Sequence, residues 1–285
     1  MLNLSTEQLA GMNCHYIRYS FQYFLDSMVA NGLRNIEIWG ASPHYFADDY
    51  TDEQVRNLKR EIEARDLHLV CLTPEQVTYP INIAAREDDL RHKSVANHLR
   101  TLDHAAILGV KRMLLTPGYG YLDEPRAEAW KRSRDSIHTI AVHAAAVGVT
   151  IALEHLSPAS SNLVNTAQDL RQMLDDVSHP SLKAMFDVGQ VNILHETVRE
   201  YFHILGSDIV HAHLVDGTPG GHLALGDGTI PLAENLRDMS EAGYQGYLSM
   251  EIADRRYFAD PADADRRSIA IFKALIEESY DGRKN

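Results

Sequence analysis

Short apolar runs alternate with longer polar-and-apolar stretches along the whole chain. The runs cover 9–14, 35–39, 68–72, 110–116, 149–154, 182–187, 209–215 and 246–252. Several are continuous rather than alternating, as in Val149-Thr-Ile-Ala-Leu. A strand covered by helices on both faces needs that pattern, whereas a half-exposed strand alternates. Between the runs, apolar residues recur at helical spacing over 52–65, 90–108, 125–147, 167–176, 232–242 and 261–278. Asp123-Glu-Pro125 and Asp260-Pro261 set an acid beside a first-turn proline. Gly32, Gly109, Gly148 and Gly243 stand where a helix must stop before the next strand.

Eight strands alternating with about eight helices imply parallel pairing through right-handed crossovers. One repeat takes about 36 residues, enough for a strand, a helix and two loops. At roughly 150 residues per domain the 285 residues would allow two domains. No Ser/Pro/Gly-rich linker, low-complexity run or charge block divides them, and an α/β barrel of about 250 residues fits one. An open doubly wound sheet is the rival, but no strand here is followed by a Gly-x-Gly-x-x-Gly turn. The expectation is an α/β chain folded as one (β/α)8 TIM barrel over residues 1–285.

Composition narrows the function. A net charge of −13 repels phosphate backbones and anionic lipid, so neither nucleic acid nor membrane is the expected partner. Two cysteines, Cys14 and Cys71, make no disulfide framework and suit a reducing cytoplasm. The N-terminus lacks a basic start followed by an apolar core. The best apolar stretch, 140–153, contains His143 and is too short to span a bilayer. A cytoplasmic catalytic or ligand-binding protein is expected.

In such a barrel the active site gathers at the C-terminal ends of the strands. The last four runs end in or near Glu154, Asp187, His213 and Glu251, spaced 33, 26 and 38 residues apart. Each interval is close to one repeat, which stands the four on consecutive strands around one rim. A charge ending a buried strand is costly to desolvate unless paired or bound to metal. One such acid is ordinarily a helix cap or ion-pair partner; four ligand-type residues on successive strands are not explained that way. Three carboxylates converging would repel one another, and a divalent cation removes the repulsion. Oxygen donors with one imidazole suit Mn²⁺ first, with Mg²⁺, Co²⁺ or Zn²⁺ also compatible. The cation would polarise a carbonyl and stabilise an enediolate. Glu154 and Glu251 could then remove and return a proton on the adjacent carbon, giving epimerisation or aldose–ketose isomerisation. His211, two residues before His213, points to the same side, a layer below. His92, His98, His104, His138 and His143 fall in helical segments and are expected at the surface or an interface.

These residues, together with Ile36-Glu-Ile-Trp-Gly40, Thr73-Pro-Glu and Tyr79-Pro-Ile-Asn82, resemble the xylose-isomerase-like TIM-barrel superfamily. Within it the pattern is most similar to sugar 3-epimerases of the fructoselysine and tagatose/psicose type, over almost the whole chain. The resemblance implies that Glu154, Asp187, His213 and Glu251 ligate one Mn²⁺-like ion, with Glu154 and Glu251 as the acid/base pair. It also implies that His222, preceding a Gly-x-Gly turn, belongs to the substrate loop after the seventh strand. Three positions depart from the free-ketohexose epimerases: Ser160 replaces a Glu, Gln190 a His and Pro219 an Arg. Psicose or tagatose therefore cannot be assigned as substrate, although Gln190 can still hydrogen-bond a hydroxyl.

Trp39 and Glu75 suit the mouth of a sugar site, an aromatic face for the ring and a carboxylate for hydroxyl donors. His15, His44 and Tyr79 are weaker candidates. Gly226 and Gly228 could offer N–H groups to a phosphate, but no Lys or Arg stands nearby, which favours an unphosphorylated sugar. Three other activities compete. A lyase of keto-inositol dehydratase type would share the proton abstraction. An AP endonuclease IV-like phosphodiesterase needs further metal ligands and a basic surface. A non-catalytic sugar-binding protein would not need two acids at a metal. By analogy with barrels that pair, a dimer or tetramer is expected, with Tyr119, Tyr121 and Trp130 as contact candidates.

Overall fold

All eight apolar runs become strands in the computed structural model, which describes residues 2–76 and 80–281. They are β1 (Leu9–Met12), β2 (Asn35–Gly40), β3 (His68–Pro74), β4 (Arg112–Leu115), β5 (Thr150–Glu154), β6 (Leu182–Asp187), β7 (Ile209–His213) and β8 (Leu248–Met250). Each pairs in parallel with the next, and β8 pairs with β1, so the sheet closes into a (β/α)8 barrel. The expected fold is the observed one. Tyr79, part of the family-like motif, lies outside the described residues.

The outer layer consists of α1 (Phe21–Ala30), α2 (Asp52–Glu63), α3 (Asp88–Leu108), α4 (Arg126–Val147), α5 (Ala167–Val177), α6 (Val188–Ile193), α7 (Val198–Leu205), α8 (Leu232–Glu241) and α9 (Pro261–Asp281). Ser20, Thr51, Thr166 and Thr197 start α1, α2, α5 and α7 by accepting an N–H from the first turn. Gly109 and Gly148 end α3 and α4 at φ 81° and 71°, a left-handed geometry that side chains disfavour. Pro125 caps α4 from just outside its first turn. Asp187 ends β6 and caps the short α6 at once, so the crossover to β7 is split into two helices.

Side chains on the strands divide between two cores. Outward-facing Ile36, Ile38, Phe186 and their neighbours pack against helix residues such as Phe24, Leu102, Ile137 and Phe272. Inward-facing Ala10, Val70, Cys71, Leu114, Ala152 and Met185 fill the barrel interior. That filling makes the interior a packed floor rather than a pore. Both cysteines are free and buried. Among the described residues, no helix is long and apolar enough to cross a membrane.

Two surface expectations need correction. His98 and His104 are buried, because α3 turns that face inward: the His98 ring meets the Ser94 carbonyl at 2.7 Å and His104 the Tyr45 hydroxyl at 2.8 Å. Trp130 is also buried; its indole N–H donates to Asp176 and Arg126 covers its ring. Tyr119 and Tyr121 do stand exposed beside Leu122 in the loop after β4.

Candidate active site

The barrel register brings Glu154, Asp187, His213 and Glu251 together. The first three end β5, β6 and β7, and Glu251 follows β8 directly. One ligand-type atom from each lies within 4.8 Å of all the others. His213 Nδ1 is 2.9 Å from Glu251 Oε2 and 3.8 Å from Glu154 Oε1. Asp187 Oδ1 accepts the Gln190 N–H at 2.8 Å, while the buried Oδ2 has no hydrogen-bond partner among the described residues. A buried, unpartnered carboxylate oxygen beside two further carboxylates and an imidazole is the donor set a hard divalent cation satisfies.

Burial and mutual repulsion set the charges of the metal-free cluster. Burial pushes the Glu154 carboxyl well up, and nearby Glu251 and Asp187 add to it against the opposing pull of His213. Asp187 is raised by burial and by Glu251 despite His222 and His213. For Glu251, burial is outweighed by His222 and His213, which hold it below the usual range. His213 is raised well above its ordinary value because Glu37 and Glu251 outweigh its burial. The two glutamates thus differ, one favouring its proton and the other its charge.

Glu37 was not singled out from the sequence, yet it forms the layer beneath. It projects from β2 into the interior, fully buried, with its Oε2 2.6 Å from His211 Nε2 and its Oε1 3.1 Å from His213 Nε2. Thr73 donates its hydroxyl to the same Oε1. Burial alone would push this carboxyl up, but the facing His213 and His211 rings reverse that and hold it well below the usual range. A signal was present: an acid between Ile36 and Ile38 in a strand otherwise destined for burial.

A cavity of about 410 Å³ opens above the cluster, a size suited to a small ligand. Glu154, Glu251 and all four substrate candidates, Trp39, Glu75, Gln190 and His222, line it. Trp39 donates its indole N–H to Glu75 at 2.8 Å, and its backbone is clamped by Asn13. The Gln190 side-chain carbonyl accepts the Ser157 N–H at 3.0 Å. His222 Nε2 stands 3.7 Å from Glu251. Ser160 also lines the cavity, whereas Pro219 packs against Asn192. His15 and His44 lie behind the wall, His15 beside Asp265 and His44 between Asn13 and the Tyr19 carbonyl.

In the glycine turn, one of the two amides considered for a phosphate, that of Gly226, is already taken. Asp216 folds back into it and accepts the N–H groups of Gly217, Gly226 and Ile230 at 2.8, 2.9 and 3.0 Å. A Cβ on Gly228 would sit 2.3 Å from the same carboxylate. A larger hollow of about 700 Å³, lined by Arg112, Arg199 and Tyr244, opens at the opposite end of the barrel, away from the acid cluster.

A family model described as xylose isomerase-like TIM barrel matches residues 25–275. The chain belongs to that family. Among its xylose isomerase-like relatives, fructoselysine 3-epimerase of Escherichia coli O157:H7 is 30% identical over 268 residues, covering 93% of this chain and 97% of the relative. D-psicose 3-epimerase of Ruminiclostridium cellulolyticum is 27% identical over 240 residues, covering 81% and 78%. A crystal structure of D-psicose 3-epimerase with D-tagatose, from Clostridium cellulolyticum H10, superimposes with a TM-score of 0.79 at 21% identity, covering 94% of this chain and 99% of the other. This structural likeness extends the shared fold across nearly the whole chain.

Proposed function

We propose that the chain is a metal-dependent 3-epimerase acting on a ketose or ketose derivative. It is a carbohydrate isomerase, in keeping with its fructoselysine, D-psicose and L-ribulose 3-epimerase relatives. The observation that carries the metal-dependent reading is the convergence of Glu154, Asp187, His213 and Glu251, with one buried Asp187 oxygen unpartnered among the described residues. These four residues would hold a divalent cation, Mn²⁺ by preference, whose contribution is to polarise the substrate carbonyl.

The chain's own residues would do the remainder. Glu251, whose carboxylate lines the cavity, takes the proton from the carbon next to the carbonyl. Glu154, the second carboxylate lining the cavity, returns a proton to the enediolate that remains. In the reverse direction their duties exchange. Trp39 supplies an apolar face, while Glu75, Gln190 and His222 meet hydroxyl groups from the cavity wall. With the Gly226 amide occupied by Asp216, an unphosphorylated sugar is the better fit.

Incubation with Mn²⁺ and a panel of fructoselysine, D-psicose, D-tagatose and L-ribulose in D₂O tests the reading. One deuterium should enter carbon 3 of the true substrate, and the C3 epimer should accumulate. Metal-loaded protein that exchanges no proton with any of these ketoses would falsify the epimerase assignment.

A further inference from the structure

We propose that Glu37 is a positioning residue that holds a proton on Nε2 of His213, so that Nδ1 is the atom His213 presents to the acid cluster. The inference rests on the reading of that cluster as a metal centre. Three observations carry it. His213 Nε2 points down at Glu37, 3.1 Å away, while Nδ1 points up at Glu251 and Glu154 at 2.9 and 3.8 Å. A carboxylate can only accept, so the nitrogen facing Glu37 is the donor. Glu37 itself is over-determined: fully buried, it takes a second N–H from His211 at 2.6 Å and the Thr73 hydroxyl.

The arrangement crosses the barrel. Glu37 lies on β2 and its two histidine partners on β7, with β8 and β1 between them. Those two strands contribute Ser249 and Ala10 at paired positions, side chains small enough to leave a path through the interior. Ser249 Oγ touches His211 Nε2 at 3.3 Å along that path. Burying a carboxylate so deeply is costly unless several donors satisfy it, and one of the donors here is the cluster's own His213. An imidazole whose remote nitrogen donates to a carboxylate has its tautomer and ring plane fixed, and its near nitrogen becomes a better ligand.

Glu37→Gln is nearly isosteric, but its amide cannot accept from both rings and Thr73 at once. Two measurements on the wild type and this variant test the assignment. Long-range ¹H–¹⁵N spectra of histidine-labelled, metal-free protein read the ring protons of His213, identified by its loss in His213→Gln. The wild type should carry a proton on Nε2, and Glu37→Gln should lose it. Titration calorimetry with Mn²⁺ should then show Kd weakened about 10- to 100-fold in Glu37→Gln. A Kd within a factor of two of wild type, or a wild-type His213 bare at Nε2, overturns the proposal; the second readout stands even if the variant does not fold. A wild type that keeps Nε2–H in a Glu37-dependent way yet binds no divalent ion sinks the metal reading and leaves the proton assignment to Glu37 intact.

Discussion

At the scale of single residues, neighbours in sequence meet opposite environments. Glu154 belongs to the acid cluster, while His155, the next residue, packs fully buried against the Tyr201 ring with neither nitrogen hydrogen-bonded among the described residues. Burial pushes the His155 pKa down to about 3. An unfolded histidine titrates near about 6.5. Below that pH the unfolded chain takes up a proton that the native chain refuses, so stability declines as pH falls from there towards 3. At pH 5 the decline from this one group is about 2 kcal/mol. Replacing it with an apolar ring, His155→Phe, should lessen the drop in unfolding free energy between pH 7 and pH 5 by that amount, read by urea titration at both. Because the comparison is between pH values, any constant packing change cancels; parallel losses in the two proteins would mean that His155 charges freely in the native state. Glu251→Gln belongs to the same scale. It removes the proton acceptor while keeping the shape, so kcat should fall by about 10²- to 10⁴-fold, and a variant with full turnover would eliminate Glu251 as the base.

The loop that follows β7 shows how an element is held and what it delivers. Asp216 gathers three backbone N–H groups, and the Asp216–Leu223 bridge closes the loop's neck. His222, beside that bridge, is brought to 3.7 Å from Glu251, and its carbonyl accepts the Ala253 N–H at 3.0 Å. A methyl group on Gly228 would lie 2.5 Å from the Gly217 nitrogen as well as against Asp216, and backbone cannot step aside as a flexible side chain can. Gly228→Ala should therefore cost about 1–3 kcal/mol and raise KM more than it lowers kcat, since His222 is displaced before the metal ligands are. An unchanged KM would detach this loop from substrate binding. The loop also marks where the sequence stops being readable. Strand ends were legible because a buried strand has a simple signature and a barrel aligns its ends, which is why Glu154, Asp187, His213 and Glu251 could be picked out. Asp216 accepting the amide of Gly226, ten residues further on, is a tertiary event with no period or motif, so Gly226 could be read as an open donor. Glu37 was hidden for the same reason, its partners His211 and His213 lying 174 and 176 residues further on.

For the molecule as a whole, closing the barrel forces together groups that the unfolded chain keeps far apart, and the metal-free protein must accommodate their repulsion. Burial and like charges raise Glu154 and Asp187, and Glu37 and Glu251 raise His213. Groups raised in this way hold protons more readily than free side chains and must be deprotonated as ligands, so cation uptake should release protons and weaken on acidification. A ligand present at about 100 times its Kd stabilises the native state by about 2.7 kcal/mol, which in a chain of this size moves Tm by several degrees. Chelator-treated protein should accordingly melt several degrees below the Mn²⁺-loaded form at pH 8, and the gap should narrow at pH 6, where protons compete for the same oxygens. Calorimetry in buffers of different ionisation enthalpy would count the protons released. A gap that is the same at both pH values, with no buffer dependence, would mean that the cation binds away from these carboxylates.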